Sequence, residues 1–164
     1  MNQKPCILVS ACLLGHPVRY DGQHKYCATL EELKNEFDLI SVCPEVGAGL
    51  STPRPAVNLY LENNKILAKG ADEPELNVTA PLNNWISEYI KTLKAHGAIL
   101  KSKSPSCGFK TTPVYTNDGH YFSNGLFANA LDQSFLPIID ELQIQNKDSK
   151  SKFLSQVWSQ FHAR

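Results

Sequence analysis

The chain lacks a long apolar run, an excess of either charge and any paired-cysteine or paired-histidine motif, and each absence removes a class of function. No stretch approaches the ~18 to 20 consecutive apolar residues of a membrane-spanning helix. The first residues, "MNQKPCILVSACLLG", hold one lysine and a short apolar stretch broken by Ser10, which reads as a buried first strand rather than a secretion signal. A soluble, cytoplasmic protein is therefore expected. Over 164 residues, 16 Lys and Arg balance 16 Asp and Glu, so the charge announces no nucleic-acid backbone as partner. Five cysteines, an odd number, are not the disulfide framework of a small secreted domain. In "VGAGLSTP", Thr52 stands where a dinucleotide fingerprint needs its third glycine, and Pro53 and Pro55 keep a helix from following. The histidines form no i,i+4 metal pair; His96 suits the end of a helix, and His16 is the one close to a motif.

What is present alternates between strand and helix. "CILVS" (6–10) is a short continuous apolar run suited to a strand buried on both faces. "TLEELKNEF" (29–37) places Leu30, Leu33 and Phe37 on one helical face, and "DLISVCPE" (38–45) returns to strand, completing a βαβ unit. "VNLYLENNKILAKG" (57–70) reads as a hairpin turning at Asn63-Asn64. "APLNNWISEYIKTLKAHG" (80–97) is an amphipathic helix ended by Gly97, and "GAILK" (97–101) the next buried strand. A small hairpin turning at Asp118-Gly119, a short helix at 125–133, a strand "FLPIID" (135–140) and a C-terminal helix capped by Asp148 complete the chain. With no repeats or linker, the order predicts one domain over 1–164. It is α/β, three-layered, with a mainly parallel, Rossmann-like sheet plus a small hairpin.

On this map Cys12 lies just past the first strand, Cys43 at the end of the second and Cys107 beyond "GAILK". The carboxyl ends of parallel strands share one edge, where ligands bind, so the three thiols can meet at one point. Three thiolates suit zinc with an open fourth position or a cubane iron-sulfur cluster with one unligated iron, and spacing does not separate the two. The plainer alternative is that each cysteine is a small buried hydrophobe. Cys6, at a strand start, and Cys27, at a helix start, read as core or surface thiols. The lysines of "KSKSPSCGFK" (Lys101, Lys103, Lys110) read as a solvated loop more readily than as an RNA-binding patch. Arg19, Asp21 and Arg54 are candidates for holding a substrate edge or for turn-stabilising ion pairs.

These same stretches, "VSACLLGHPVRYDG" (9–22), "CPEVGAGLSTPRP" (43–55) and "LKSKSPSCG" (100–108), resemble the thiouracil desulfidase family, long listed as domain of unknown function 523. The resemblance spans roughly residues 5–140, with 141–164 a C-terminal helix. It implies a [4Fe-4S] cluster held by Cys12, Cys43 and Cys107, with one iron open to the sulfur of a substrate. It further implies Glu45 and Ser104 as catalytic residues in hydrolysis of a thiocarbonyl, with sulfide released and no net redox change. Arg19, Asp21, Arg54 and Ser106 are the expected substrate-binding residues. The expected partner is a small thiolated pyrimidine met by a monomeric protein. The alternatives are thiouridine in tRNA, disfavoured by the neutral charge, and a non-catalytic metal- or cluster-binding module. Two segments depart from the family's pattern, "AVNLYL" after "PRP" and "SNGLFANAL" (123–131), and both bear on the substrate wall.

Overall fold

A computed structural model describes residues 2–164. In chain order the strands are β1 (Cys6–Ser10), β2 (Asp38–Val42), β3 (Val57–Glu62), β4 (Lys65–Gly70), β5 (Gly97–Leu100), β6 (Thr112–Thr116), β7 (Gly119–Ser123) and β8 (Ile138–Asp140). The α-helices are α1 (Pro44–Gly47), α2 (Thr79–Lys91), α3 (Leu126–Gln133) and α4 (Lys147–His162), with 3₁₀ segments at Ala11–Leu14, Ala28–Asn35 and Gln143–Gln145.

Four strands form an all-parallel sheet in the order β2-β1-β5-β8. Side-chain alternation divides its apolar residues between two faces. Ile7, Val9, Ile99 and Ile139 pack with Leu30, Leu33, Phe37, Phe153 and Val157, beneath the Ala28–Asn35 segment and α4. Leu8, Ala98 and Leu100 pack oppositely with Ile86, Phe127 and Leu131 of α2 and α3. The result is three layers, and what the structure establishes of the Rossmann-like expectation is this parallel sheet with helices on both faces. Because β1 is followed by β2 on one side and β5 lies on the other, the strand order reverses between β1 and β5. A crevice opens at such a point outside the carboxyl ends of the strands.

The expected small hairpin is half of a larger unit. Two hairpins, β3-β4 and β6-β7, join through a parallel β3-β6 pairing into a second four-stranded sheet, order β4-β3-β6-β7. Asn63 (φ 51°) and Asn64 (φ 62°) both take the left-handed conformation of the turn expected there. In the second hairpin Thr116 pairs with Gly119, so the turn residues are Asn117 and Asp118 and Gly119 opens β7. Val57, Leu59, Ala68 and Val114 cover Val78 and Leu82, so α2 serves both sheets.

Tertiary packing moved several boundaries. Residues 28–35 form a 3₁₀ rather than an α-helix, in which Leu30 and Leu33, three apart, lie along one edge. α2 stops at Lys91, and Gly97 is the first residue of β5 rather than a helix terminator. The last strand covers only Ile138–Asp140, with Phe135 outside it and exposed. The cap of α4 is Asn146, whose side chain accepts from Ser149 N–H at 2.9 Å; Asp148 sits inside the first turn, where its charge still favours the helix. His96 lies beyond α2 and accepts with Nδ1 from Cys6 N–H at 3.0 Å. Burial and the nearby Arg164 charge hold its pKa below the ordinary value, the opposite of a helix-end histidine.

Candidate functional site

The crevice at the carboxyl edge of the parallel sheet is a cavity of about 400 Å³. Cys12, Cys43 and Cys107 all line it, as do Glu45, Ser104, Ser106, Arg19 and Arg54. Asp21 is not among the lining residues; it accepts from Gln23 N–H at 3.0 Å and lies 3.9 Å from Arg19 Nε, which is turn chemistry. Cys6 opens instead into a groove at the opposite end of β1 beside Asp38 and His96, and Cys27 belongs to the core under the sheet.

Local structure aims each thiol. Cys12 sits in the 3₁₀ turn that follows β1 and is nearly buried. Cys43 precedes α1, which Pro44 starts at a position where a missing N–H costs nothing. Cys107 lies in a loop that the second segment departing from the family pattern holds in place. The start of α3 presents Leu126, Phe127 and Ala128 N–H to the carbonyls of Pro105 and Ser106, and Gly125 N–H to Gly108. A Cβ on Gly125 would come within 2.6 Å of Ser106 O, so only glycine fits. Residues 123–131 thus brace the Cys107 loop and do not line the cavity. Lys103 and Lys110 adopt φ near +60°, tied by Thr111 Oγ1 and Asn124 Oδ1. Hence 101–110 is a built loop rather than a solvated one: Ser102, Ser106 and Cys107 are buried, and Lys101 and Lys103 line the cavity.

Burial dominates the electrostatics of the thiols. It pushes Cys12 up to about 11, against the opposing charges of Lys101 and Arg19. It pushes Cys107 up to about 12, with a hydrogen bond from Ser10 working the other way. Cys43 is raised by burial too, partly offset by the Val46 backbone N–H. Bare thiolates are therefore unfavourable here, and a cationic centre that takes them as ligands supplies the missing counter-charge.

Glu45 is held from both sides. Arg54 Nε lies 3.1 Å from Oε1, both side chains being largely buried, and Ser106 Oγ donates to Oε2 at 3.1 Å. Ser104 Oγ is 3.2 Å from Ser106 Oγ and accepts from Cys107 N–H at 3.0 Å. Arg54 spends its remaining donors on Ser51 O, Thr52 Oγ1 and Val18 O, so it is committed to Glu45 and to the loops beside it. Arg19 differs: its Nη1 is buried without a hydrogen-bond partner.

The family model of 2-thiouracil desulfurase matches residues 7–143. The chain belongs to the 2-thiouracil desulfurase family. Among relatives of this desulfurase-family enzyme, the uncharacterized protein YbbK of Bacillus subtilis (strain 168) is 30% identical over 150 residues, covering 85% of this chain and 98% of that one. A solved structure, the [4Fe-4S]-dependent thiouracil desulfidase TudS, matches with a TM-score of 0.70 and 31% identity, covering 87% of this chain and 94% of that one.

TudS depends on a [4Fe-4S] cluster, and the residues around this cavity suit such a group. Among the described residues no three His, Cys, Asp or Glu side chains are gathered tightly enough for one metal ion. Thiolates bound to separate irons of a cubane lie farther apart than the ligands of a single ion, so three thiols around one cavity, rather than three in mutual contact, is the relevant fit. The buried thiols, the flanking cations Lys101 and Arg19 and the orphaned Arg19 Nη1 fit an anionic cluster with a polar substrate. Sequence reasoning missed Glu141, which pairs with Lys101 beside the cavity. Glu141 directly follows β8, so the strand-end rule that located the cysteines also reaches it.

Proposed function

We propose that this chain binds a [4Fe-4S] cluster through Cys12, Cys43 and Cys107 and hydrolytically removes sulfur from thiolated uracil or its nucleosides, releasing sulfide. The observation that carries this reading is the shared cavity, in which three thiols from separate loops face a fixed carboxylate. When bound, a cluster with three protein ligands supplies a Lewis-acidic iron at its open corner, able to polarise a thiocarbonyl.

The chain's own groups divide the remaining work. Glu45, its carboxylate oriented by Arg54 and Ser106, accepts the proton of the attacking water. Ser104, whose oxygen is pinned by backbone N–H groups, holds the polar edge of the ring or passes a proton through Ser106. Arg19 offers its unpaired Nη1 to a carbonyl oxygen. Arg54, assigned from sequence to the substrate, acts in this reading on Glu45 instead.

The test is anaerobic reconstitution, assay of iron and acid-labile sulfide, then addition of 2-thiouracil and 4-thiouracil. A four-iron cluster with sulfide release is expected from the parent chain. Glu45→Gln should keep the cluster and lose turnover by ~10²-fold or more. Cys107→Ser should fold and fail to load. Zinc alone, or no metal, in the parent chain would overturn the proposal.

A further inference from the structure

One charged cluster beside the cavity has no part in the chemistry above. Lys101 Nζ lies 3.0 Å from Glu141 Oε1 and donates to Ser102 O at 2.9 Å. Glu141 is saturated in turn: Oε2 accepts from Ser102 N–H at 2.7 Å and Oε1 from Ser102 Oγ at 2.6 Å. Both charged side chains are mostly buried, 21% and 11% exposed. The carboxyl ends of β5 and β8 are thereby tied together.

A tether alone would not need charge, since a buried ion pair replaced by apolar side chains of similar volume is often no less stable. The pair is also oriented. Lys101 lines the cavity and Glu141 does not, so the cationic end faces the thiols.

We infer that Lys101, locked by Glu141 and Ser102, is a positioning residue that presents a fixed positive charge to the cluster held by Cys12, Cys43 and Cys107. The inference rests on the function proposed above. Three thiolates make that assembly anionic, and a buried cation beside it favours its more negative, reduced form. Net charge and local polarity are among the levers that set the potential of such clusters.

The experiment reconstitutes the full chain, Lys101→Arg and the double variant Lys101→Met/Glu141→Gln, which leaves no buried charge unpaired. Iron per chain, melting temperature and the reduction potential of the cluster are measured for each. The double variant should melt near the parent, take up the cluster and show a lower potential, whereas Lys101→Arg should keep the parent potential. An unchanged potential in the double variant, or an equal fall in Lys101→Arg, overturns the inference while leaving the proposed function standing. A parent chain that takes up no cluster overturns the proposed function and this inference with it.

Discussion

Arg54→Met isolates the hold on Glu45. The wild-type pair is 5% and 13% exposed in its side chains, so water replaces the guanidinium poorly. Removing one partner of a buried ion pair costs ~3–5 kcal/mol. Ser106 still donates to Glu45 Oε2, and the carbonyl of Ser51 and the hydroxyl of Thr52 are exposed enough to be rehydrated. The lower end, about 3 kcal/mol, is therefore expected, or a fall in melting temperature of roughly 6–12 °C for a chain of this length. The assay is a urea or thermal unfolding series on the metal-free protein, completed as a cycle with Glu45→Gln and the double variant. Removing both charges should recover about 2 kcal/mol of the loss, because no carboxylate is then left buried alone. A single variant within about 1 kcal/mol of the parent, or a double variant equal to the sum of the singles, would refute the claim that Arg54 exists to hold Glu45.

Two further outcomes follow from the packing. His96 is neutral as the acceptor for Cys6 N–H, and its folded pKa lies below the ordinary 6.5. Its contribution is complete above pH 6.5 and is lost as pH falls through the folded value, so melting temperature should drop from pH 7.5 to 5.5, less steeply in His96→Gln; equal slopes would count against the assignment. Gly97→Ala would place a Cβ 2.6 Å from Val157 Cγ2 and 3.1 Å from Phe153 Cζ, both side chains being buried in the core. It should cost ~1–3 kcal/mol in urea unfolding, and a neutral result would mean that α4 can move away from β5.

Several parts of the molecule were legible because their signals are local. Continuous apolar runs located β1 and β5, the Asn-Asn pair located a hairpin turn, and three- and four-residue spacing located α2. The strand-end rule brought Cys12, Cys43 and Cys107 to one edge, and the structure sets all three around one cavity. Gly97 misled for a physical reason: a glycine is required either by a left-handed helix end or by close packing, and only the position of Val157, far along the chain, shows that packing is the cause. The lysines of "KSKSPSCGFK" look solvated in sequence, because Glu141 and the start of α3, which order that loop, lie beyond it.

By itself, then, the sequence determined a neutral α/β chain without a membrane-spanning run, its parallel-strand segments and the three cysteines at their ends, all properties of composition and short-range periodicity. The tertiary structure decided which charges meet. It joined two hairpins into a second sheet, committed Arg54 to Glu45 rather than to open space, left Arg19 Nη1 unpaired and turned the Lys101–Glu141 pair with its cation toward the cavity. Such pairings depend on distances of a few ångströms between side chains carried on separate loops and strands, and no spacing along the chain encodes them.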